Sequence, residues 1–179
     1  MKEKSSFKLK YCKTCLQTNT RPQSKIQKNG KCPACNYYFN NKNIDWNQRL
    51  NILKKIIKEK KSSSIYDGVL GVSGGKDSTR QALWLRDKLK LNPLLVCLAY
   101  PPEQVTDRGC KNISNLINLG FDVIVESLAP KTWKSLMKSC FDDDANWCKA
   151  SEQALKSSAI KVAIRKKIKI VFWGENPSL

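Results

Sequence analysis

The chain of 179 residues contains no histidine. That removes the side chain most often used as a general base near neutral pH, and it removes every imidazole metal ligand. Long apolar runs are also missing: none approaches the roughly 18 residues a membrane span needs. The first eleven residues are rich in lysine but lack the apolar segment of a signal peptide, so the expected location is the cytoplasm. Acidic residues are scarce, 15 Asp/Glu against 33 Lys/Arg, giving a net charge of +18. The imbalance is uneven: residues 1–65 carry 16 basic and 3 acidic side chains (+13), residues 66–179 carry 17 and 12 (+5). A basic front end is an electrostatic footprint suited to RNA or another polyanion. Aromatics are only 8% of the chain and few stand among those lysines, so solvated surface lysine is an equal reading. No internal repeat is present. The length suits one domain plus a small module.

Cysteine, in contrast, is plentiful, with eight residues. In a reducing compartment, paired cysteines point to metal rather than to disulfides. Cys12-x-x-Cys15 and Cys32-x-x-Cys35 stand sixteen residues apart, within the spacing of a four-thiolate site. Each pair offers two thiolates to one side of a tetrahedron, and Gly30 suits the tight turn before the second pair. A lysine-rich module of this size buries little core, so metal binding is expected to supply its folding energy. Structural zinc is the expectation; an iron–sulfur cluster is the alternative left open.

The most informative segment is Ser73-Gly74-Gly75-Lys76-Asp77-Ser78. It follows the apolar run 68–72 and opens a segment with Ala82, Leu83, Leu85 and Leu89 at helical spacing. Strand, glycine turn and helix together present backbone N–H groups to an anion at a helix N-terminus. Adjacent glycines let the backbone approach phosphate oxygens with no Cβ in the way. Ser73 and Ser78 add hydroxyls, Lys76 a point charge, and Asp77 a carboxylate able to hold a metal ion. The spacing is not that of a Walker A loop. The hexapeptide instead resembles the PP-loop of the ATP pyrophosphatase superfamily, which implies ATP binding with attack at the α-phosphorus.

Asp45 reads as the N-cap of a helix to about residue 60, with Trp46, Leu50, Leu53 and Ile57 on one face. Residues 61–64 read as a loop. From residue 66 strands and helices alternate: strands at 68–72, 94–99 (with Pro93 starting the strand), 121–125 and 168–173, and helices at 77–90, 103–119, 131–140 and 149–166. Gly120 is expected to stop the second of those helices. This alternation indicates an α/β domain with a parallel sheet. The expected organisation is a metal module over 1–44, a connecting helix and loop over 45–65, and an ATP-binding domain over 66–179. Ligands in such sheets bind beyond the carboxyl ends of the strands. Three segments are therefore expected to converge there: the hexapeptide, Tyr100-Pro101-Pro102-Glu103, and Gly174-Glu175-Asn176-Pro177. The chain stops directly after the third, so a truncated domain is expected.

Tyr11-Cys12-Lys13-Thr14-Cys15, Thr20-Arg21-Pro22 and Gly30-Lys31-Cys32-Pro33-Ala34-Cys35 resemble the opening of the N-acetyl sugar amidotransferase family of lipopolysaccharide and pseudaminic acid biosynthesis. The resemblance continues through residues 71–78, 98–104, 112–116, Asn146-Trp147-Cys148-Lys149 and Trp173-Gly174-Glu175-Asn176-Pro177, nearly the whole chain. It implies that family members run well beyond residue 179. It also implies an AMP-forming conversion of an acetamido group on a nucleotide-linked sugar to an acetamidino group. Ammonia would come from a glutaminase subunit similar to the glutamine amidotransferase of histidine biosynthesis, accompanied by a cyclase-like subunit. In that scheme Ser73, Gly74, Gly75 and Ser78 hold pyrophosphate, Lys76 offsets its charge and Asp77 binds Mg²⁺. Tyr100 and Gly174 line the site, and Glu175 and Asn176 orient nucleotide or substrate, or merely form a turn before Pro177. No histidine is needed, because the protein positions reactants and stabilises phosphate charge.

A tRNA-modifying PP-loop enzyme, such as a thiolase, is the alternative, with Cys148 as a persulfide candidate; a non-enzymatic fragment that binds a partner through its metal module is a third reading. Cys148 otherwise reads as a small packing residue at a helix start, Cys97 as core, and Asp142-Asp143-Asp144 as a solvated cap. Cys110 and Cys140 carry no signal.

Overall fold

A computed structural model describes residues 8–21, 24–100 and 105–174. The chain divides into two compact units, Met1–Asn51 and Ile52–Leu179.

In the first unit, the chain around Cys12 doubles back: Cys12 N–H donates to Gln17 O (2.8 Å) and Tyr11 pairs antiparallel with Thr18. A second turn follows, with Gly30 N–H donating to Gln27 O and Gln27 N–H to Lys31 O. Gly30 has φ +78°, the left-handed conformation that glycine adopts without a Cβ penalty. Helix α1 (Pro33–Asn41) then begins with Cys32 as N-cap and Pro33 in its first turn. This helix has no apolar periodicity: beyond Ala34, the segment 33–38 is made of weak helix formers, and the element buries no residue. Its start is set by the cap instead. Helix α2 (Trp46–Glu59), whose first six residues fall in this unit and the rest in the second, begins where Asp45 Oδ1 accepts from the N–H groups of Asn47 (2.9 Å) and Gln48 (3.0 Å), as an N-cap does.

The second unit is a four-stranded parallel sheet of β1 (Gly68–Gly71), β2 (Pro93–Ala99), β3 (Val123–Ser127) and β4 (Val171–Phe172), in the order β3-β2-β1-β4. All three pairings are parallel. Helix α3 (Lys76–Asp87) joins β1 to β2, α4 (Asp107–Asn118) joins β2 to β3, and α5 (Pro130–Asp144) with α6 (Lys149–Arg165) leads to β4. Alternate strand residues serve opposite faces. Leu70, Val72, Leu95 and Cys97 pack with Ala82, Leu85 and Leu116 of α3 and α4. Val69, Leu94 and Val96 pack with Ala159, Val162 and Ala163 of α6. Both faces are therefore covered, which explains the near-continuous apolar strands. Trp133 and Cys140 of α5 pack against Ala150 and Ala154 of α6.

Several boundaries differ from the sequence expectation. The third strand begins at Val123, two residues late, because Gly120 (φ +85°) ends α4 and Phe121 turns into the core beneath Arg86. The fourth strand is only Val171–Phe172. Helix α3 stops at Asp87, short of residue 90, where Lys90 has φ +57°. Helix α4 starts at Asp107 behind Thr106, whose hydroxyl accepts from Gly109 N–H (3.1 Å). Helix α5 runs on to Asp144, so the acidic triplet is its last turn, with Lys138 and Lys149 paired to Asp142 and Asp144.

Candidate nucleotide and metal sites

Strand β1 is the point where the order of strand addition reverses: β2 and β3 extend to one side, β4 to the other. At such a switch the loops leaving adjacent strands part, and a crevice opens at their carboxyl ends. The loop leaving β1 is Ser73–Gly75, and it runs directly into α3. Val72 N–H makes the last ladder bond, to Val96 O (2.9 Å). Gly74 is buried with φ +71°, and Gly75 is the N-cap with no side-chain cap bond. Hydroxyls brace the loop from below: Ser78 Oγ donates to Gly75 O and Thr79 Oγ1 to Gly74 O, each at 3.3 Å. Ser73 Oγ accepts from Gly75 N–H (3.4 Å). The first helical bond is Thr79 N–H to Gly75 O (3.0 Å), so the N–H groups of Lys76, Asp77 and Ser78 have no intrahelical acceptor. Those donors, with the positive end of the helix dipole, form an anion seat. Lys76 and Asp77 are exposed, and neither has an ion-pair partner among the described residues.

A cleft of about 350 Å³ opens over this loop. Ser73, Gly75, Lys76, Asp77 and Ser78 line it from the loop and the first turn of α3, Gly71 and Val72 from β1 and its end, Leu155 from α6, and Trp173 and Gly174 from the chain after β4. Two of the three expected segments, after β1 and after β4, are thus brought together. Tyr100, from the segment after β2, does not line the cleft; it stacks on Trp133 of α5 with ring centroids 5.5 Å apart. Glu175 and Asn176 lie outside the described residues, as do Pro101, Pro102 and Glu103. Sequence reasoning missed Leu155, which reaches the cleft from α6, and Thr79, which braces the loop. Leu155 carried no signal beyond a helical period; Thr79 could have been found as a hydroxyl one turn into the helix.

The other cysteines are scattered. Cys97 is core, as expected, and burial pushes its thiol up. Cys140 is buried and Cys110 exposed. Cys148 is not a packing residue: it is exposed at the N-cap of α6, and Ala150, two residues on, packs instead. Its N–H donates to Asn146 Oδ1 (3.1 Å), so the residue serves the turn through its backbone.

In the first unit the sulfur atoms of Cys12, Cys15, Cys32 and Cys35 all lie within 4.8 Å of one another, Cys15 and Cys32 at 3.6 Å. A tetrahedral ion about 2.3 Å from each sulfur separates them by about 3.8 Å. A cubane cluster places each thiolate on its own iron and spreads the sulfurs further. The donor set and spacing therefore fit one tetrahedral ion. Backbone N–H groups already point at the sulfurs, from Thr14 (3.4 Å) and Cys32 (3.3 Å) to Cys12, and from Cys35 (3.4 Å) to Cys32. Hydrogen bonding from the Cys15 backbone, reinforced by Cys32 and Thr14, holds the Cys12 thiol down at about 6. Hydrogen bonding with the Cys15 side chain, then burial, pushes Cys35 up to about 12. One thiolate is thus ready at neutral pH while Cys35 keeps its proton until a cation displaces it.

The second unit is thus an α/β domain with a four-stranded parallel sheet and a glycine anion loop leaving its switch strand, and a four-cysteine cluster precedes it in the chain. No protein-family model matches the chain, and no curated protein matches it. Among solved structures it is similar to an NMN synthetase from Francisella tularensis, with TM-score 0.55 and 18% identity over 73% of this chain and 52% of that one. It is also similar to an NH3-dependent NAD synthetase from Campylobacter jejuni (TM-score 0.49, 20% identity, 74% and 58%). A third is a U34-tRNA thiolase from Methanococcus maripaludis with its 4Fe–4S cluster (TM-score 0.38, 16% identity, 93% and 54%). The likeness to the NMN synthetase, at 18% identity, is one of fold alone. The chain spans 52–58% of the length of these three structures. Among the described residues no helix is long and apolar enough to cross a membrane.

Proposed function

We propose that this chain carries the nucleotide site of an AMP-forming enzyme, in which ATP is held by its pyrophosphate portion and AMP is transferred to an acceptor oxygen. The observation that supports this reading is the braced glycine loop at the switch strand, whose free N–H groups and unpaired Lys76 face one cleft. Gly75 gives the backbone close approach and Lys76 offsets phosphate charge. Asp77, exposed beside the loop, is the one carboxylate lining the cleft among the described residues, and with water it could hold a Mg²⁺ ion, which commonly keeps several waters. When bound, Mg²⁺ would supply charge neutralisation to the phosphates, and the chain's own residues would orient them.

The finer reading is an amidotransferase acting on an acetamido group of a nucleotide-linked sugar. An amide oxygen is a poor leaving group; carrying AMP, it departs when ammonia attacks the imidate carbon. A glutaminase subunit, with a cyclase-like subunit, would supply the ammonia. The cysteine module would hold zinc as a closed structural site, in an enzyme of the cytoplasm. Incubation of the full-length protein with Mg–ATP, ammonium and candidate nucleotide N-acetyl sugars is expected to give sugar-dependent AMP and pyrophosphate. ADP and orthophosphate, or no sugar dependence, would overturn it.

A tRNA-modifying reading is favoured by one observation, the net +13 on residues 1–65. It expects salt-dependent tRNA binding and iron with labile sulfide, where the sugar reading expects one zinc per chain and no tRNA retention.

A further inference from the structure

The cleft has an apolar wall for which the anion loop gives no account. Trp173, just past β4, packs half-buried against the α6 face of the sheet. Gly71 admits its indole: a Cβ on Gly71 would stand 2.6 Å from ring atom Cζ3 and 3.0 Å from Cε3. Gln81 of α3 donates through Nε2 to the Trp173 carbonyl (3.5 Å). The helix that opens with the anion loop therefore also holds the backbone carrying the indole. Leu155 extends the wall from α6.

Among the described residues, both charged side chains that line the cleft, Lys76 and Asp77, stand in the first turn of α3, directly after the loop. Leu155 and Trp173 themselves bring no charge to the cleft. A carboxylate seated against them would lose hydration and gain no charged partner from either. An uncharged acyl group would lose little and gain apolar burial. At about 350 Å³ the cleft is also at the small end for ligand sites, so it accommodates the phosphates and one small reacting group.

We infer that Leu155 and Trp173 select the acceptor: they seat the uncharged acyl group of the second substrate beside the anion loop, and Leu155 sets its length. This rests on the nucleotide reading of the same cleft. Adenine is the other uncharged moiety that fits such a wall, and the test separates the two.

The protein is loaded with Mg–pyrophosphate, and glucosamine and its N-acetyl, N-propanoyl and N-butanoyl derivatives are titrated by ligand-observed NMR. AMP is titrated separately by calorimetry. Wild-type protein is expected to bind the N-acetyl sugar above the unacylated amine. Leu155→Ala is expected to move the N-butanoyl to N-acetyl affinity ratio by about tenfold toward the longer chain, since one or two methylenes in an apolar pocket carry discrimination of that order. Leu155→Val, a smaller change on a half-buried residue, is expected to shift it in the same direction, and pyrophosphate and AMP affinities are expected to stay unchanged. Pyrophosphate binding with the same acyl ranking in every variant would overturn this inference alone. A change in AMP affinity with an unchanged acyl ranking would assign the wall to adenine and overturn it as well. Failure to bind pyrophosphate at all would sink the nucleotide reading and this inference together.

Discussion

Gly74 and Gly75 are neighbours with opposite constraints, and replacing each with alanine separates folding from binding. At Gly74, φ is +71°, and a Cβ would stand 2.7 Å from Asn112 Cβ and 2.9 Å from both the carbonyl carbon and oxygen of Asn112. The obstacle is helix backbone, which cannot swing aside. A left-handed non-glycine residue costs about 1–2 kcal/mol, and forcing a methyl into packed structure adds about 1–3 kcal/mol. Gly74→Ala is therefore expected to cost about 2–5 kcal/mol, a fall in melting temperature of roughly 5–15 °C for a domain of this size. At Gly75, φ is −71° and the nearest neighbour of a Cβ is Ser73 Oγ at 3.5 Å, an ordinary contact. Alanine is a poorer N-cap than glycine, but it also restricts the unfolded chain, so the two effects nearly cancel. Gly75→Ala should melt close to wild type. Its methyl projects where the cleft is lined, however, and is expected to weaken pyrophosphate binding at least tenfold, about 1.4 kcal/mol. Thermal unfolding and pyrophosphate calorimetry on both variants decide the matter. A Gly74→Ala protein as stable as wild type would refute the close approach of α4 to the loop. Undiminished binding by Gly75→Ala would refute anion contact across this glycine.

Lys76→Met removes the charge that faces the cleft without a protein partner. It is expected to weaken pyrophosphate binding by about 1.5–3 kcal/mol, the range for hydrogen bonds to charged groups, with the melting temperature unchanged. In the cysteine module, Cys35 must lose a proton held up to about 12 before it can ligate. Zinc titration near pH 7 is therefore expected to release protons, and zinc affinity to fall as pH falls. Cys12, held near 6 against an ordinary 9.0, favours the metal-free fold fully above pH 9, and that contribution is lost as pH falls toward 6. Cys35 acts in the opposite sense, favouring the fold below pH 9 and losing its contribution as pH rises toward 12. Zinc uptake with no proton release in weakly buffered solution would contradict this assignment. Tyr66→Phe deletes the 2.8 Å bond from Tyr66 Oη to Asp122 Oδ2 and is expected to cost about 0.5–1.5 kcal/mol in denaturant unfolding. Tyr100→Ala, which removes a ring stacked on Trp133 outside the described cleft, is expected to leave pyrophosphate affinity unchanged by calorimetry.

The parts of this protein legible in its sequence are those fixed by short-range chemistry. Cys12, Cys15, Cys32 and Cys35 were visible as a metal set because two thiolates three residues apart fit one side of an ion, whatever surrounds them. The hexapeptide was visible because its neighbours in sequence are also its neighbours in space. Strands were visible as apolar runs because helices cover both faces of the sheet. Strand order is another matter. Nothing in residues 68–72 says that β4 rather than β3 will lie beside β1, since pairing depends on which helix packs on which face. That one fact decides which loops meet. With the order β3-β2-β1-β4, the chain after β4 joins the anion loop at the switch crevice, and Tyr100 after β2 stacks on α5 instead. The same geometry brings in Leu155, 77 residues beyond Ser78 in the chain, and gives Gly71 its purpose as the floor beneath the indole of Trp173. From sequence Gly71 is a small residue in a strand; only the pairing with β4 turns it into a requirement. The anion seat was thus a local property and could be read ahead. The surface that would choose what reacts there is a property of the sheet and could not.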